Sequence, residues 1–277
     1  MNLKMDIGRI RKFLKKYNNF LITAHINPEG DCLGAELAFA KVIKRMGKNC
    51  EVINCDTFSR EYAFLPGVNN IRKSPKRKKI DAAVIVDCSD ISRIGSTANY
   101  LSKETPILNI DHHISNTYFG AINFVDINAS SACEVLYQLF KRLRIKLDRD
   151  MAVCLYTGIV ADTGSFRYPN TGALTHLVAS RLLEWGIDVA MVYRNIYEGL
   201  TFLELELLNR ALLDIRKDKS GKIAWVKLTH ELFKRYNSNT DITENILNFL
   251  RSVRGVEVCV LFKERKEKEQ RVRINLR

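Results

Sequence analysis

The stretch LITAHINPEGDCLGAEL (residues 21–37) joins an apolar run to a helical pattern through a short turn. The helical pattern covers 31–47, with apolar residues on one side, basic residues on the other and a glycine at its C-terminal stop. The turn carries His25, Glu29 and Asp31. A turn alone needs no such crowding of ionisable groups, so this unit predicts both a strand–helix fold and a functional loop.

The same alternation of apolar runs and helical patterns continues along the first half of the chain. Three further runs have the composition of strands buried on both faces, at 51–55, 82–86 and 106–110. Strand–helix–strand alternation favours right-handed crossovers, so we expect an α/β fold with a doubly wound, mainly parallel sheet. Helical spacing predicts four helices in the middle third, at 128–144, 150–162, 171–185 and 188–197.

A change of pattern near residue 216 predicts a second domain. The sequence beyond it has the pattern strand, helix, strand, strand, which is typical of a smaller α+β unit. We therefore expect a first domain at 1–197, a connecting helix at 198–215 and a second domain at 216–277.

Composition limits the classes of protein to which the chain can belong. With 277 residues, 46% of them hydrophobic, it can bury the cores of two domains. Its apolar runs fall short of the ~20 residues of a membrane span, so we expect no membrane partner. Seven scattered cysteines without a C-x-x-C pair argue against a disulfide framework or a zinc ribbon, and they favour the cytoplasm. A net charge of +13 suits an anionic partner such as nucleic acid or nucleotides.

Groups that bind metals follow three of the four predicted strands. They are, in chain order, His25, Asp87 and the run Asp111, His112 and His113. Because the carboxyl ends of parallel strands lie along one edge of a sheet, these groups should meet there, with the acidic turn overhanging them.

Each group also has a structural explanation. Asp31 alone is better explained as a helix N-cap, His25 alone as a hydrogen-bonded structural histidine, and Asp87 could begin a turn. Cys32 and Cys88, which follow two of the carboxylates, are better explained as small buried residues, because thiolates suit softer metals. The convergence nevertheless favours a metal site, since carboxylates packed together without a cation raise one another's pKa values and cost stability.

The number and type of these groups indicate two metal ions. Mixed carboxylate and imidazole ligands favour manganese, cobalt, iron, magnesium or zinc. Six or seven candidate ligands are too many for one ion and fit two ions that share a carboxylate. Two such ions activate a water and stabilise a leaving oxygen in phosphate-ester hydrolysis, so the residues alone predict a two-metal phosphoesterase.

The order of these motifs, completed by Asp162 in TGIVADTGSFRYPNT (157–171), resembles the DHH phosphoesterase superfamily. DHHISN (111–116) and the Asp162 motif look most like its nano-RNase and pAp-phosphatase branch. VEVCVLFKE (256–264) and RVRINLR (271–277) look like the DHH-associated domain of that branch.

The resemblance implies a role for each matched residue. Two divalent ions, Mn²⁺ in the first place and Co²⁺ or Mg²⁺ as alternatives, would be bound by His25, Glu29, Asp31, Asp87, His112 and Asp162. Asp87 would bridge the two ions. His113 would contact the scissile phosphate and act in catalysis, while Asp111 would orient the pair of histidines.

Two arginines are further candidates for substrate contacts, and the chain departs from the family pattern in two places. Arg167 is a candidate phosphate contact, although a surface ion pair explains it equally well, and Arg277 is also assigned to substrate binding. Glu29 stands where the family usually carries Asp, one methylene shorter. Relatives continue beyond the strand at 271–277 with a Gly-Gly-Gly-His segment that grips substrate, so we expect an incomplete second domain.

These features lead us to expect hydrolysis of short oligoribonucleotides to 5′-mononucleotides, together with removal of the 3′-phosphate of pAp. Hydrolysis of cyclic dinucleotides or their linear products is the alternative within the same fold. Inorganic pyrophosphate is a less favoured substrate, because the second domain resembles the nano-RNase type. An alternative from another class of function is a nucleotide-binding protein, whose catalysis would be impaired because the Gly-Gly-Gly-His segment is missing. A homodimer is compatible with the sequence.

Overall fold

A computed structural model describes residues 3–77, 79–235, 242–264 and 272–276. The chain divides into two compact units, Met1–Glu198 and Gly199–Arg277. Arg277, expected to contact substrate, lies outside the described residues.

A five-stranded sheet forms the centre of the first unit. Its strands are β1 (Asn19–Thr23), β2 (Asn49–Val52), β3 (Ala82–Val86), β4 (Ile107–Asp111) and β5 (Ile122–Val125). All neighbours in the order β2-β1-β3-β4-β5 are parallel, which confirms the predicted fold class. The sequence did not predict β5, because Asn123 interrupts its short apolar run and ties the preceding turn through the carbonyls of Tyr118 and Gly120.

The position of a strand in the sheet decides how deeply it is buried. β3 is central and every one of its residues is buried, as its apolar run predicts. β2 is an edge strand in which Asn49 is exposed and only Val52 is fully buried. The predicted run at 51–55 overlaps only the end of this strand; the middle residues of the run, Val52, Ile53 and Asn54, are buried as expected, and Glu51 and Cys55 at its ends are half-buried.

The described part of this unit contains six α-helices. They are α1 (Leu3–Lys16), α2 (Gly30–Arg45), α3 (Ala132–Leu143), α4 (Arg149–Asp162), α5 (Ala173–Leu183) and α6 (Val189–Tyr197). Short 3₁₀ segments lie at Arg60–Tyr62, Val68–Asn70 and Ile91–Tyr100. The basic α1 buries Ile10, Phe13 and Leu14 in the core, so only its charged side remains at the surface. Among the described residues, no helix is long and apolar enough to cross a membrane.

Two glycines allow α2 and α4 to pack closely against each other. A Cβ atom at Gly34 of α2 would overlap the backbone carbonyl of Cys154 in α4. A Cβ atom at Gly158 of α4 would overlap the Cys133 sulfur and lie 2.7 Å from Oδ1 of Asp31. This close approach positions the first turn of α2, which carries Asp31, against the last turns of α4.

Gly34→Ala tests that packing. The added methyl meets rigid backbone instead of a movable side chain, so we expect a loss of about 1–3 kcal/mol in the free energy of unfolding. Gly8→Ala in α1 is the control, because no atom lies within 4 Å of a Cβ built at Gly8. Denaturant unfolding of the two variants measures the difference, and equal stability would contradict the close helix contact.

The second unit is a smaller α+β layer structure. It contains α7 (Phe202–Leu213), β6 (Arg216–Lys217), β7 (Ile223–Leu228), α8 (His230–Arg235), α9 (Thr243–Ser252), β8 (Val258–Glu264) and β9 (Val272–Leu276). The strand order is β6-β7-β8-β9, with β7 and β8 parallel and the outer pairs antiparallel. α7, expected as a connection, packs Leu207, Leu208 and Ala211 into the core of this unit.

Candidate metal centre

The carboxyl edge of the parallel sheet brings together most of the residues that the sequence predicted as ligands. Three groups of side chains there each have their potential ligand atoms within 4.8 Å of one another. The groups are Asp87, Asp111, His112 and His113; His25, Cys32 and Asp87; and Asp31, His112 and Asp162. Because Asp87 and His112 each belong to two groups, the three form one continuous centre.

Asp87 lies at the middle of this centre, directly after β3. Its backbone has a φ of 48°, which is strained for a residue other than glycine and is typical of functional sites. Its Oδ2 accepts a hydrogen bond from the Cys32 thiol (3.0 Å) and lies 3.5 Å from Nε2 of His25. Its Oδ1 lies 3.5 Å from Nε2 of His112, is buried, and has no hydrogen bond. A buried carboxylate oxygen without a hydrogen bond is costly, and a bound cation would remove that cost.

Backbone carbonyls hold two of the histidines in an orientation suited to a metal. Nδ1–H of His25 donates to the Ile26 carbonyl (2.6 Å), and Nδ1 of His112 contacts the Ala129 carbonyl (3.3 Å). Nε2 of each ring is therefore the atom that faces the carboxylates. For His112 that atom also lies 3.5 Å from Asp162. A ring held through Nδ1 in this way presents Nε2 as a ligand.

Asp31 caps a helix, but not the one that the sequence predicted. Residue Glu29 occupies the N-cap position of α2 and makes no side-chain cap there. The Asp31 carboxylate instead accepts hydrogen bonds from the backbone N–H groups of Ala132 (2.6 Å) and Cys133 (2.8 Å), in the first turn of α3. The partial positive charge of that helix terminus favours the carboxylate, which explains why a buried acid is held here.

The pKa values show that the centre holds excess negative charge. Burial, with Asp87 nearby, raises the pKa of Asp31 to about 6, and burial together with Asp31 and Asp87 raises that of Asp162 to about 8. Burial acts to raise the pKa of Asp87 too, but His112 and His25 hold it well below its usual range. Burial acts to lower the pKa of both histidines, yet Asp87 outweighs it and raises them to about 9 for His25 and about 10 for His112. Bound protons therefore neutralise negative charge of the carboxylates that divalent cations could neutralise instead.

The residue Asp111 orients one histidine of the pair and not both. It is fully buried, and its Oδ1 accepts the Nδ1–H of His113 (2.7 Å). Its Oδ2 accepts a hydrogen bond from the side-chain amide of Asn116 (2.6 Å). His112 is held by the Ala129 carbonyl instead, so the expectation that Asp111 orients both rings was wrong. Nε2 of His113 is left as the ring atom available to a substrate.

Asn116→Ala tests this chain of contacts. Without the amide, Asp111 loses its second hydrogen bond and His113 is held less firmly, so we expect kcat to fall about 10–100-fold. We expect the number of metal ions bound per chain to stay constant. Asn116 contacts Asp111, and it makes no direct hydrogen bond to a predicted ligand. Steady-state kinetics and metal analysis measure the two effects. Asn123→Ala, in the strand β5 that follows this loop, is the control, and equal kcat in both variants would contradict the role.

Three predicted site residues lie away from these groups or outside the described chain. Glu29 is exposed and belongs to none of the three groups, although its charge contributes to the raised pKa of Asp162. Arg167 is exposed, its Nε–H donates to the Gly164 carbonyl (2.9 Å), and it forms no ion pair with any described residue. Its contact with phosphate stays a prediction, as does that of Arg277.

The sequence did not assign three residues that the structure places in or beside the centre. Cys32 and Asn116 contact Asp87 and Asp111 directly. Glu36 is fully buried one turn after Cys32, its Oε2 accepts a hydrogen bond from Asn54, and burial raises its pKa to about 8. The sequence held a signal for two of these residues. Residues 32 and 36 share a helix face, and an acidic residue inside an apolar helix is unusual.

Comparison with known proteins agrees with the geometry. The family described as "DHH family, N-terminal domain" matches residues 19–159, just over half of the chain. The "Probable bifunctional oligoribonuclease and PAP phosphatase NrnA" of Streptococcus mutans is 27% identical over 94% of this chain and 82% of its own length. The Bacillus subtilis protein named "Bifunctional oligoribonuclease and PAP phosphatase NrnA" is 21% identical with the same coverage. The crystal structure of an exopolyphosphatase-related protein from Bacteroides fragilis has a TM-score of 0.92 and 23% identity, and the match covers 99% of this chain and 83% of that one.

Proposed function

The chain belongs to the DHH family, and on that premise we propose that it is a two-metal phosphoesterase that hydrolyses short oligoribonucleotides to 5′-mononucleotides and pAp to AMP. The observation that carries the proposal is the continuous set of carboxylates and imidazoles at the carboxyl edge of the sheet, joined through Asp87 and His112. Ligand sites in open α/β sheets lie at this edge.

The residues present fit two divalent ions. Oδ1 of Asp87, which is buried without a hydrogen bond, and the raised pKa values of Asp31 and Asp162 each indicate a place where a cation would stabilise the fold. His25, Glu29 and Asp87 would hold one ion, and the other would be held by Asp31, Asp87, His112 and Asp162. Mn²⁺ is the first choice for this oxygen and nitrogen donor set, with Co²⁺ and Mg²⁺ as alternatives. Bound ions of this kind lower the pKa of water and neutralise charge on phosphate oxygens.

The remaining residues of the centre would position the substrate. His113 is held by Asp111 through Nδ1 and is partly exposed, and its Nε2 would contact the scissile phosphate. Arg167 lies just after α4, which carries Asp162, and its exposed guanidinium would add positive charge for a second phosphate group.

The substrate class follows from the relatives and from charge. Two relatives that match nearly the whole chain are named oligoribonuclease and PAP phosphatase, and the net charge of +13 favours such anionic substrates. We assign the chemistry to the first domain, near 1–197, and substrate binding to the second, near 216–277. All seven cysteines are free thiols, which supports a cytoplasmic location.

A turnover assay with three substrates tests the proposal. The purified chain with Mn²⁺ would be given a labelled RNA dinucleotide, pAp and cyclic di-AMP in parallel. We expect hydrolysis of the dinucleotide and pAp, lost in His112→Ala and Asp162→Ala. Asp150→Ala is the matched control, because Asp150 lies near the opposite end of the same helix and pairs with Lys41. Faster turnover of cyclic di-AMP would favour the alternative substrate, and no hydrolysis with two ions bound would indicate a nucleotide-binding protein.

A further inference from the structure

The edge of the first sheet at which the parallel strands begin is basic, whereas the carboxyl edge carries the acidic centre. Lys15 and Lys16 end α1 just before β1, Lys48 directly precedes β2, and Arg77 and Lys79 lie on the segment before β3. Because β2, β1 and β3 are neighbours and parallel, their starting points lie side by side. We call these five cations the amino-edge patch.

Hydrogen bonds join the segments that carry these cations. The Lys48 ammonium donates to the backbone carbonyls of Lys15 (2.8 Å) and Tyr17, and this contact ties the end of α1 to the start of β2. The Arg77 guanidinium donates to the side-chain carbonyl of Asn49 (2.9 Å), the first residue of β2. Cations from three separate segments are therefore brought to one place on the surface.

Neighbouring acids neutralise few of these charges. Lys15, Lys16 and Arg77 form no ion pair with any residue in the described ranges, and all three are exposed. Lys79 pairs with Oδ1 of Asp81 (3.5 Å), whose other oxygen accepts hydrogen bonds from the start of β1. The patch therefore carries an excess of positive charge that is open to solvent.

The stabilisation of a helix end explains only part of this charge. Cations in the last turn complement the negative end of a helix, which accounts for Lys15 and Lys16 in α1. Arg77 and Lys79 lie outside any helix, on a segment (72–79) in which six of eight residues are basic and none is acidic. A surface of one sign attracts ligands of the opposite sign, so the patch favours an anionic partner.

The patch is too far from the metal centre to contact a dinucleotide bound there. The strand β1 has five residues, so about 16 Å separates the two edges of the sheet. A stacked nucleic-acid strand advances about 3.4 Å per nucleotide, so a dinucleotide covers about 7 Å. An anion bound at the patch is therefore either a longer chain or a separate molecule.

We propose that the amino-edge patch binds the phosphate backbone of single-stranded RNA that is longer than the short substrates of the metal centre. Lysine and arginine contacts to phosphates do not depend on base sequence. Asn18 and Asn49, which are exposed beside the cations, are polar, whereas binding to a membrane surface would require apolar side chains that insert among the lipids. The contact would hold the protein on RNA from which another nuclease releases short fragments.

Fluorescence anisotropy of a labelled RNA of about 24 nucleotides tests the proposal on the full chain. EDTA is present, so that the RNA is not cleaved. Each phosphate contact to a single strand contributes about −0.7 to the slope of log K against log salt, so five cations predict a slope of about −3. In Lys15→Gln/Arg77→Gln the slope should become less steep by about 1.4. The affinity of this variant at about 50 mM salt should fall about 10–100-fold.

Arg181→Gln/Arg194→Gln is the matched control. These two arginines are exposed on α5 and α6, and the variant loses the same number of charges outside the patch. We expect it to bind the RNA with wild-type affinity and slope. Circular dichroism checks that both double variants are folded, and vesicles of phosphatidylcholine and phosphatidylglycerol serve as the second anionic probe.

Turnover of the RNA dinucleotide with Mn²⁺ separates this inference from the proposed function. We expect wild-type turnover in both double variants, and slower turnover in the patch variant alone would contradict two separate sites. RNA binding weakened only in the patch variant would support the inference, even in a protein that hydrolyses no substrate. Equal RNA affinity of the two variants, or binding to the vesicles without binding to RNA, would overturn it and leave the function standing.

Discussion

Asp87→Asn is expected to lower kcat by about 10⁴-fold or more, the scale observed when one member of an interdependent catalytic set is removed. Asp87 is shared between two ligand groups, with Oδ2 facing His25 and Cys32 and Oδ1 facing His112. An amide of the same shape has no charge, and its NH₂ group cannot bind a cation. One substitution therefore weakens both proposed ion positions. Turnover of the RNA dinucleotide and metal content by mass spectrometry would be measured on the same preparation.

Asp90→Asn is the matched control for this prediction. Asp90 is the next acid along the chain, and its Oδ1 accepts hydrogen bonds from the backbone N–H and the hydroxyl of Ser92. We expect this variant to retain wild-type turnover and both ions, since Asp90 belongs to none of the three groups. Full turnover by Asp87→Asn, with two ions bound per chain, would contradict the central role of Asp87.

The residues that ended the apolar runs were predictable because their position follows from the fold class alone. Once the first, third and fourth strands are parallel, His25, Asp87 and His112 must share one edge of the sheet, whatever the details of packing. Four strands of the first sheet were predicted within a few residues for the same reason, since strands in a parallel sheet are short apolar runs. The fifth was missed because Asn123 breaks its pattern.

The contacts that tune the centre were not predictable, because they join elements distant in sequence. Asp31 caps α3, about one hundred residues away along the chain, and a sequence shows only that an acid precedes or begins its own helix. Cys32 reaches Asp87 across two elements in the same way. Such pairings depend on how α2, α3 and α4 pack. That packing depends on Gly34 and Gly158, and their role cannot be predicted without knowing which helices are neighbours.

Metal removal is expected to produce a protein whose stability falls as pH rises, which is the second large effect. Asp31 and Asp162 have folded-state pKa values of about 6 and about 8, above their unfolded values. Their contribution to stability is therefore complete near pH 4 and is lost as pH rises through 6 and 8. The raised pKa values of His25 and His112 act in the same direction, with stability present below about pH 6.5 and lost as pH rises towards 9 and 10. Asp87 acts oppositely, but only in strong acid.

Bound metal should reverse this dependence, because ions compete with protons for the same atoms and bind better as pH rises. An ion present at 100 times its Kd adds about 2.7 kcal/mol. For a domain of this size each ion then raises Tm by about 5–10 °C, since 1 kcal/mol corresponds to roughly 2–4 °C. Thermal unfolding with Mn²⁺ and with EDTA, from pH 5 to 8, should therefore show a gap that widens with pH. Asp162→Asn should flatten the EDTA curve, because the amide has no charge to be compensated. A gap that narrows with pH, or an unchanged EDTA curve in Asp162→Asn, would show that the carboxylates are not crowded as the structure places them.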